Sequence, residues 1–286
     1  MDPVEVLVRV GGAARAVDLR RAGCSRRRIA RATAEVPLVQ LGGGALAVAG
    51  TDPTVLAAVR CRASLACVSA LHHRGVELLT TPDRPHLTGN RGSPDRRVRW
   101  HRGRAAGLAL DLPQATAQLL GCGSPAAGLV AVDHLLRTER ASLADIRDQL
   151  PANSGGHARW VLHHASPQAG SVLESLLRCL LLRGGVGELV LQAPVPGVGR
   201  VDLLVAGWLV IETDGWATHG DRSTFELDRQ RDAVSAEQGL QTLRFTWSAV
   251  YDQPARVLAC VRGVLAGGRS GRHPSTSATT WDSWGH

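Results

Sequence analysis

Two short apolar runs, RVDLLV at 200–205 and WLVIETD at 208–214, constrain this chain more than any other stretch, because each carries a carboxylate inside a strand. An acid in an otherwise buried strand is costly unless a cation or hydrogen-bond donors meet it. Asp202, Glu212 and Asp214, with His219 just beyond, form the kind of donor set that holds a divalent cation against a phosphodiester. Side-chain direction repeats every two residues along a strand, so Glu212 and Asp214 share a face. Asp202 joins them only if the two strands pair with Asp202 opposite Glu212. A slip of one residue turns it to the other face.

At 286 residues the chain suits two or three domains. No run approaches the roughly 18 apolar residues of a membrane span, and the N-terminus lacks a basic start followed by an apolar signal core. The expectation is a soluble, cytoplasmic protein with no membrane partner. Cys24, Cys61, Cys67, Cys122, Cys179 and Cys260 form no CxxC pair and no CxxC…HxxxH pattern, which predicts reduced core or surface thiols rather than a disulfide frame or zinc site. All 33 basic residues are arginine, so lysine chemistry is excluded. Their distribution matters more than the net charge of +8. Residues 1–50 carry eight arginines against four acids, residues 84–104 seven against one, and residues 166–266 nine against eleven. The basic regions are suited to a polyanion, the last region to a cation.

Residues 1–50 predict three small helices and a glycine-tipped hairpin, the composition of a winged helix. The helices fall at 3–10, at 13–22 and after the N-cap Ser25; the hairpin turns at Gly42-Gly43-Gly44. Arg26, Arg27, Arg28 and Arg31 in the third helix face either DNA phosphates and base edges or only solvent. The GCSRRRIAR turn and helix, with the LVQLGGGALAVAG wing, resemble the N-terminal domain of AbiEi-type antitoxins. Residues 51–165 predict an α+β region. A helix or helical pair runs to Gly75, then turn-rich pieces surround Trp100 with arginines, then helices fill 111–150. That arginine-rich stretch suits either a nucleic-acid backbone or a charged strand edge. The adjacent pairs His72-His73 and His163-His164 are ordinary helix positions.

Residues 166–266 give the order α-β-β-β-α-β-α, a mixed sheet with helices on both faces. SVLESLLRCLL, GRVDLLV, VIETDGWATH, FELDRQRD and LQTLRFTW occur in that order. This set resembles the PD-(D/E)xK nuclease superfamily, and more closely its very-short-patch-repair endonuclease-like domains, the domain-of-unknown-function family numbered 559. The resemblance implies an α/β, restriction-endonuclease-like fold and hydrolysis of DNA phosphodiesters with Mg²⁺ or Mn²⁺. It casts Asp202 and Glu212 as metal ligands. Asp214 stands where the superfamily has a lysine, and His219 is the substitute for that lysine's proton chemistry, the alternative being a surface-loop histidine. For Glu174 two roles stay open, a helix acid reaching the metal or the partner of Ser171 in a capping box. Arg229 and Arg231 either clamp a phosphate or lie with Asp228 and Asp232 on a solvated face. Arg244 and Trp247 flank the last strand as supports. Residues 267–286 are rich in Gly, Ser and Thr, without periodicity, and predict a disordered tail. The expected function is a metal-dependent DNA endonuclease; the alternatives are an inactive DNA-binding regulator of antitoxin type and a protein-interaction scaffold.

Overall fold

Hydrophobic periodicity and capping residues place most of the elements, and long-range strand pairing corrects a few of them. The computed structural model describes residues 1–89, 97–105, 107–214, 231 and 233–268. The protein is α/β and divides into two units, Met1–Pro167 and Gln168 to the C-terminus.

The first unit opens with α1 (Pro3–Arg9), β1 (Ala13–Arg15), α2 (Ala16–Arg21), α3 (Arg26–Glu35), β2 (Val39–Gly42) and β3 (Ala45–Ala47). Asp2 and Ser25 cap α1 and α3, their side chains accepting from the backbone N–H groups of Val4 and Arg28. Leu7, Leu19, Ile29 and Leu46 close one small core beneath the three helices. Gly42, Gly43 and Gly44 hold φ of 79°, 58° and 74°, the left-handed region that glycine enters without a Cβ clash. The single helix predicted over 13–22 is corrected: its first three residues pair antiparallel with β3, Ala13 opposite Ala47 and Arg15 opposite Ala45. Alanines favour a helix locally, but the β3 edge offers them a ladder, and tertiary pairing overrides propensity.

The same unit continues through α4 (Pro53–Cys61), β4 (Ser64–Leu65), α5 (Cys67–His73), β5 (His86–Thr88) and β6 (Arg99–His101). It ends in the helices α6 (Leu112–Cys122), α7 (Pro125–Arg137), α8 (Leu143–Asp148) and α9 (Gly156–His164). Of the helix or helical pair expected before Gly75, the pair is found, α4 and α5, divided where Arg62 turns into the left-handed region and β4 pairs with β5. β5 then pairs parallel with β6. His72 and His73 close α5, and His163 and His164 close α9.

The second unit holds α10 (Val172–Arg183), β7 (Leu189–Val195), β8 (Gly199–Val205), β9 (Leu209–Asp214), β10 (Gln241–Thr246), α11 (Trp247–Asp252) and α12 (Pro254–Gly267). Its sheet runs β10-β9-β8-β7, antiparallel except for the parallel β9–β10 edge. A helical segment through 233–237 precedes β10, and its Val234 packs on the cluster of Ala193, Val195, Val201 and Val210. The single last helix expected from the sequence is two. Pro254 lacks the N–H that would continue α11, and it opens α12 instead.

Candidate active site

Strand register brings the acids together. The β8–β9 ladder pairs Val205 with Leu209, Leu204 with Val210 and Leu203 with Ile211, so Asp202 and Glu212 are the next facing pair. There the carboxylate of Asp202 takes over: its Oδ2 accepts from the Thr213 backbone N–H at 2.8 Å and from Thr213 Oγ1 at 2.7 Å. Glu212 Oε2 lies 3.5 Å from the Asp202 backbone N–H.

Glu174 reaches the same place from α10. Ser171 accepts from the Glu174 backbone N–H at 3.1 Å, which fixes the first turn of the helix. The Glu174 carboxylate does not return to Ser171. Its Oε2 accepts from the Gly170 backbone N–H at 2.8 Å and from Gln192 Nε2 at 2.9 Å. That same Nε2 is 3.5 Å from Asp202 Oδ1, so one amide on β7 spans two carboxylates. Gln192 holds φ of 48°, disfavoured for a residue with a Cβ. No local sequence signal marks Thr213, and that for Gln192 is a polar residue inside the apolar run ELVLQAPV.

Charge is crowded here. Burial of Glu212, and then the negative charge of Asp202, push its carboxyl up to about 7, against an opposing pull from Arg244 on the neighbouring strand. Arg244 faces Glu212 across the parallel β9–β10 ladder. Asp214 ends β9 exposed, opposite Thr246. Trp247 begins α11 and stacks on Tyr251, with ring centroids 5.5 Å apart. The exposed Arg231 has its guanidinium about 3.6 Å from where a Cβ on Gly199 would sit, at the start of β8. His219, Asp228 and Arg229 lie outside the described residues, as does the side chain of Asp232.

Glu174, Asp202 and Glu212 are hard oxygen donors of the type Mg²⁺ and Mn²⁺ take. The raised carboxyl of Glu212 comes first from burial and only then from Asp202. Among the described residues, the potential metal ligands that gather within 4.8 Å of one another are Cys67, His86 and His101, not these three acids.

Elsewhere, the arginines of α3 are exposed. Arg31 is held by Glu35 at 2.8 Å, and Arg28 donates to the Met1 carbonyl at 3.4 Å. Arg26 and Arg27 have no hydrogen-bond partner among the described residues. The cysteines that sequence spacing set aside include one that the fold gathers with histidines: donor atoms of Cys67, His86 and His101 lie within 4.8 Å of one another. Among the described residues no helix is long and apolar enough to cross a membrane.

No protein-family model matches the sequence, and no curated protein matches it. Among solved structures the chain is similar to the RV2827C protein from Mycobacterium tuberculosis, at 20% identity over 66% of this chain and 82% of that one, with a TM-score of 0.33. A likeness at that score carries no functional argument.

Proposed function

We propose that the second unit is a metal-dependent DNA endonuclease of the PD-(D/E)xK type, and that residues 1–50 form a winged helix presenting α3 to DNA. The observation that carries the reading is the linkage of Glu174 to Asp202 through Gln192, and of Asp202 to Glu212 through the Asp202 backbone N–H, at the point where the β8–β9 ladder stops. In this reading Asp202, Glu212 and Glu174 hold Mg²⁺ or Mn²⁺, which when bound supplies charge to a phosphate and acidifies a water. The chain's own residues do the rest. Gln192 holds two carboxylates at a fixed separation, and Thr213 fixes the Asp202 carboxylate with two donors. Arg244 offers a cation on the strand beside Glu212, where the superfamily's lysine is replaced by Asp214. His219 remains the proposed proton carrier, and Arg26 and Arg27 the proposed phosphate contacts.

The test is plasmid nicking by the full chain with Mg²⁺ or Mn²⁺, beside Asp202→Ala. Nicking that falls by at least about a hundredfold in the variant supports the reading. Equal rates in the two proteins end it.

One observation favours a second reading, a regulator that binds DNA without cutting it. The donors that meet Glu174 and Asp202 already satisfy much of their hydrogen-bonding capacity, and no lysine exists to replace Asp214. DNA retardation in gels together with no heat of Mg²⁺ binding would select it.

A further inference from the structure

The sequence offers no zinc spacing, yet the first unit gathers Cys67, His86 and His101 and sets Cys122 against Cys67. Cys67 Sγ is 3.4 Å from Cys122 Sγ, and His86 Nδ1 is 3.0 Å from His101 Nε2. One donor atom of Cys67 lies within 4.8 Å of a donor on each histidine. The four residues come from four elements: Cys67 begins α5, His86 begins β5, His101 ends β6 and Cys122 ends α6. The geometry points to a structural metal site, with Cys67, Cys122, His86 and His101 as the four ligands of a tetrahedral Zn²⁺.

Chemistry and distance agree on the ion. Two sulfurs and two imidazole nitrogens are a tetrahedral zinc set, too soft for Mg²⁺. Around Zn²⁺, with bonds of about 2.05 Å to nitrogen and about 2.3 Å to sulfur, tetrahedral edges are about 3.3 Å for N···N and about 3.8 Å for S···S. The observed Cys67–Cys122 and His86–His101 separations are shorter by a few tenths of an ångström, and small side-chain rotations open them to those edges. Cys122, which lies outside the gathered group of Cys67, His86 and His101, turns toward the histidines to complete the set. With all four positions taken by protein, no site is left for a substrate, so the role is structural.

The surroundings hold the ligands as a metal site needs. Register puts His101 opposite Thr88 in the parallel β5–β6 pair, on the same strand face as His86. Gln118, on α6, accepts from the Cys67 backbone N–H at 3.0 Å, and its amide donates to the Arg102 carbonyl at 3.3 Å. One side chain therefore braces the segments carrying two of the ligands, as outer-shell partners of metal sites do. Cys67 holds φ of 47°, a left-handed backbone that only Gly adopts at no cost. Ser69, buried on α5, accepts from the His86 backbone N–H at 2.9 Å. On binding, each thiol S–H gives its proton to solvent, the imidazole that holds the N–H between the two rings carries it on its other nitrogen instead, and two thiolates and two imidazoles donate the four lone pairs.

The test uses the full chain, purified with Zn²⁺ and dialysed. Elemental analysis is expected to find one zinc per chain. Exchange for Co²⁺ should give the thiolate charge-transfer and ligand-field absorption of a tetrahedral S₂N₂ centre. Cys122→Ser and His101→Ala should weaken binding by at least about a hundredfold, while Asp202→Ala keeps its zinc, which separates this site from the acid cluster. Wild type that stays folded with no zinc and no cobalt–thiolate band overturns the proposal. So does a Cys67–Cys122 disulfide found by mass spectrometry, or undiminished binding in a folded Cys122→Ser chain. If both variants unfold, the stoichiometry and cobalt spectrum of the wild type decide alone.

Discussion

Among the described carboxyls, Glu212 sits in the environment that departs furthest from the ordinary. Its carboxyl is pushed from 4.5 to about 7, so the folded chain holds a proton that the unfolded chain releases. A raised carboxyl contributes stability that is whole below about pH 4.5 and lost as the pH rises through about 7. In chelator, wild type should therefore melt at a lower temperature at about pH 8 than at about pH 5. Glu212→Gln should flatten that slope, and a slope unchanged in the variant would place the proton elsewhere. A cation answers the same charge. At about pH 8, Mg²⁺ at a hundred times its dissociation constant should stabilise wild type by about 2.7 kcal/mol and leave Asp202→Ala unmoved, read as a shift in thermal melting. At this scale the acids were legible in the sequence, because a carboxylate in an apolar strand is a local anomaly. Gln192 was not, since a glutamine in a strand is unremarkable until its amide is seen spanning Glu174 and Asp202. Cys67 and His101 were not either, because each pairs with residues distant in the chain.

Elements set the precision of these sites. The β8–β9 ladder is anchored by the fully buried facing pair Leu203 and Ile211, one rung before Asp202 and Glu212. Leu203→Ala should cost about 2–5 kcal/mol of unfolding free energy, measured by urea denaturation, and should loosen the acid pair with it. On α3, Arg26 and Arg27 lack partners among the described residues, while Arg31 is held by Glu35. If α3 lies against DNA, Arg26→Ala and Arg27→Ala should each lower the slope of log affinity against log salt by about one. Arg31→Ala should lower it less, because binding through Arg31 first breaks an ion pair. Equal slopes for all three variants and wild type would remove α3 from the interface. The strands of the second unit could be placed from sequence, because short apolar runs between Gly and Pro turns leave little choice. The division of 13–22 into strand and helix could not, because the β3 edge that captures Ala13–Arg15 lies some thirty residues away.

Across the whole molecule, two units carry two different donor sets, carboxylates in the second and thiols with imidazoles in the first. Each unit has its own buried residues, so Met1–Pro167 and Gln168–Gly268 made separately should each give a cooperative thermal transition in circular dichroism. A zinc chelator should lower the transition of the first fragment and leave the second in place. A chelator effect on both, or on neither, would contradict that separation.

The sequence by itself determined the α/β class, the order of strands and helices around the acids, and the exclusion of lysine chemistry. Those properties are local: an apolar period, a capping serine, a glycine turn or a missing residue type is complete within a few positions. Only the tertiary structure decided which distant side chains meet. Parallel pairing of β5 with β6 and the ends of α5 and α6 gather Cys67, His86 and His101 and set Cys122 against Cys67. The β7 backbone turns Gln192 between two acids. Such sites arise because folding joins elements that no spacing rule links, and each rung of register moves a side chain to one face or the other.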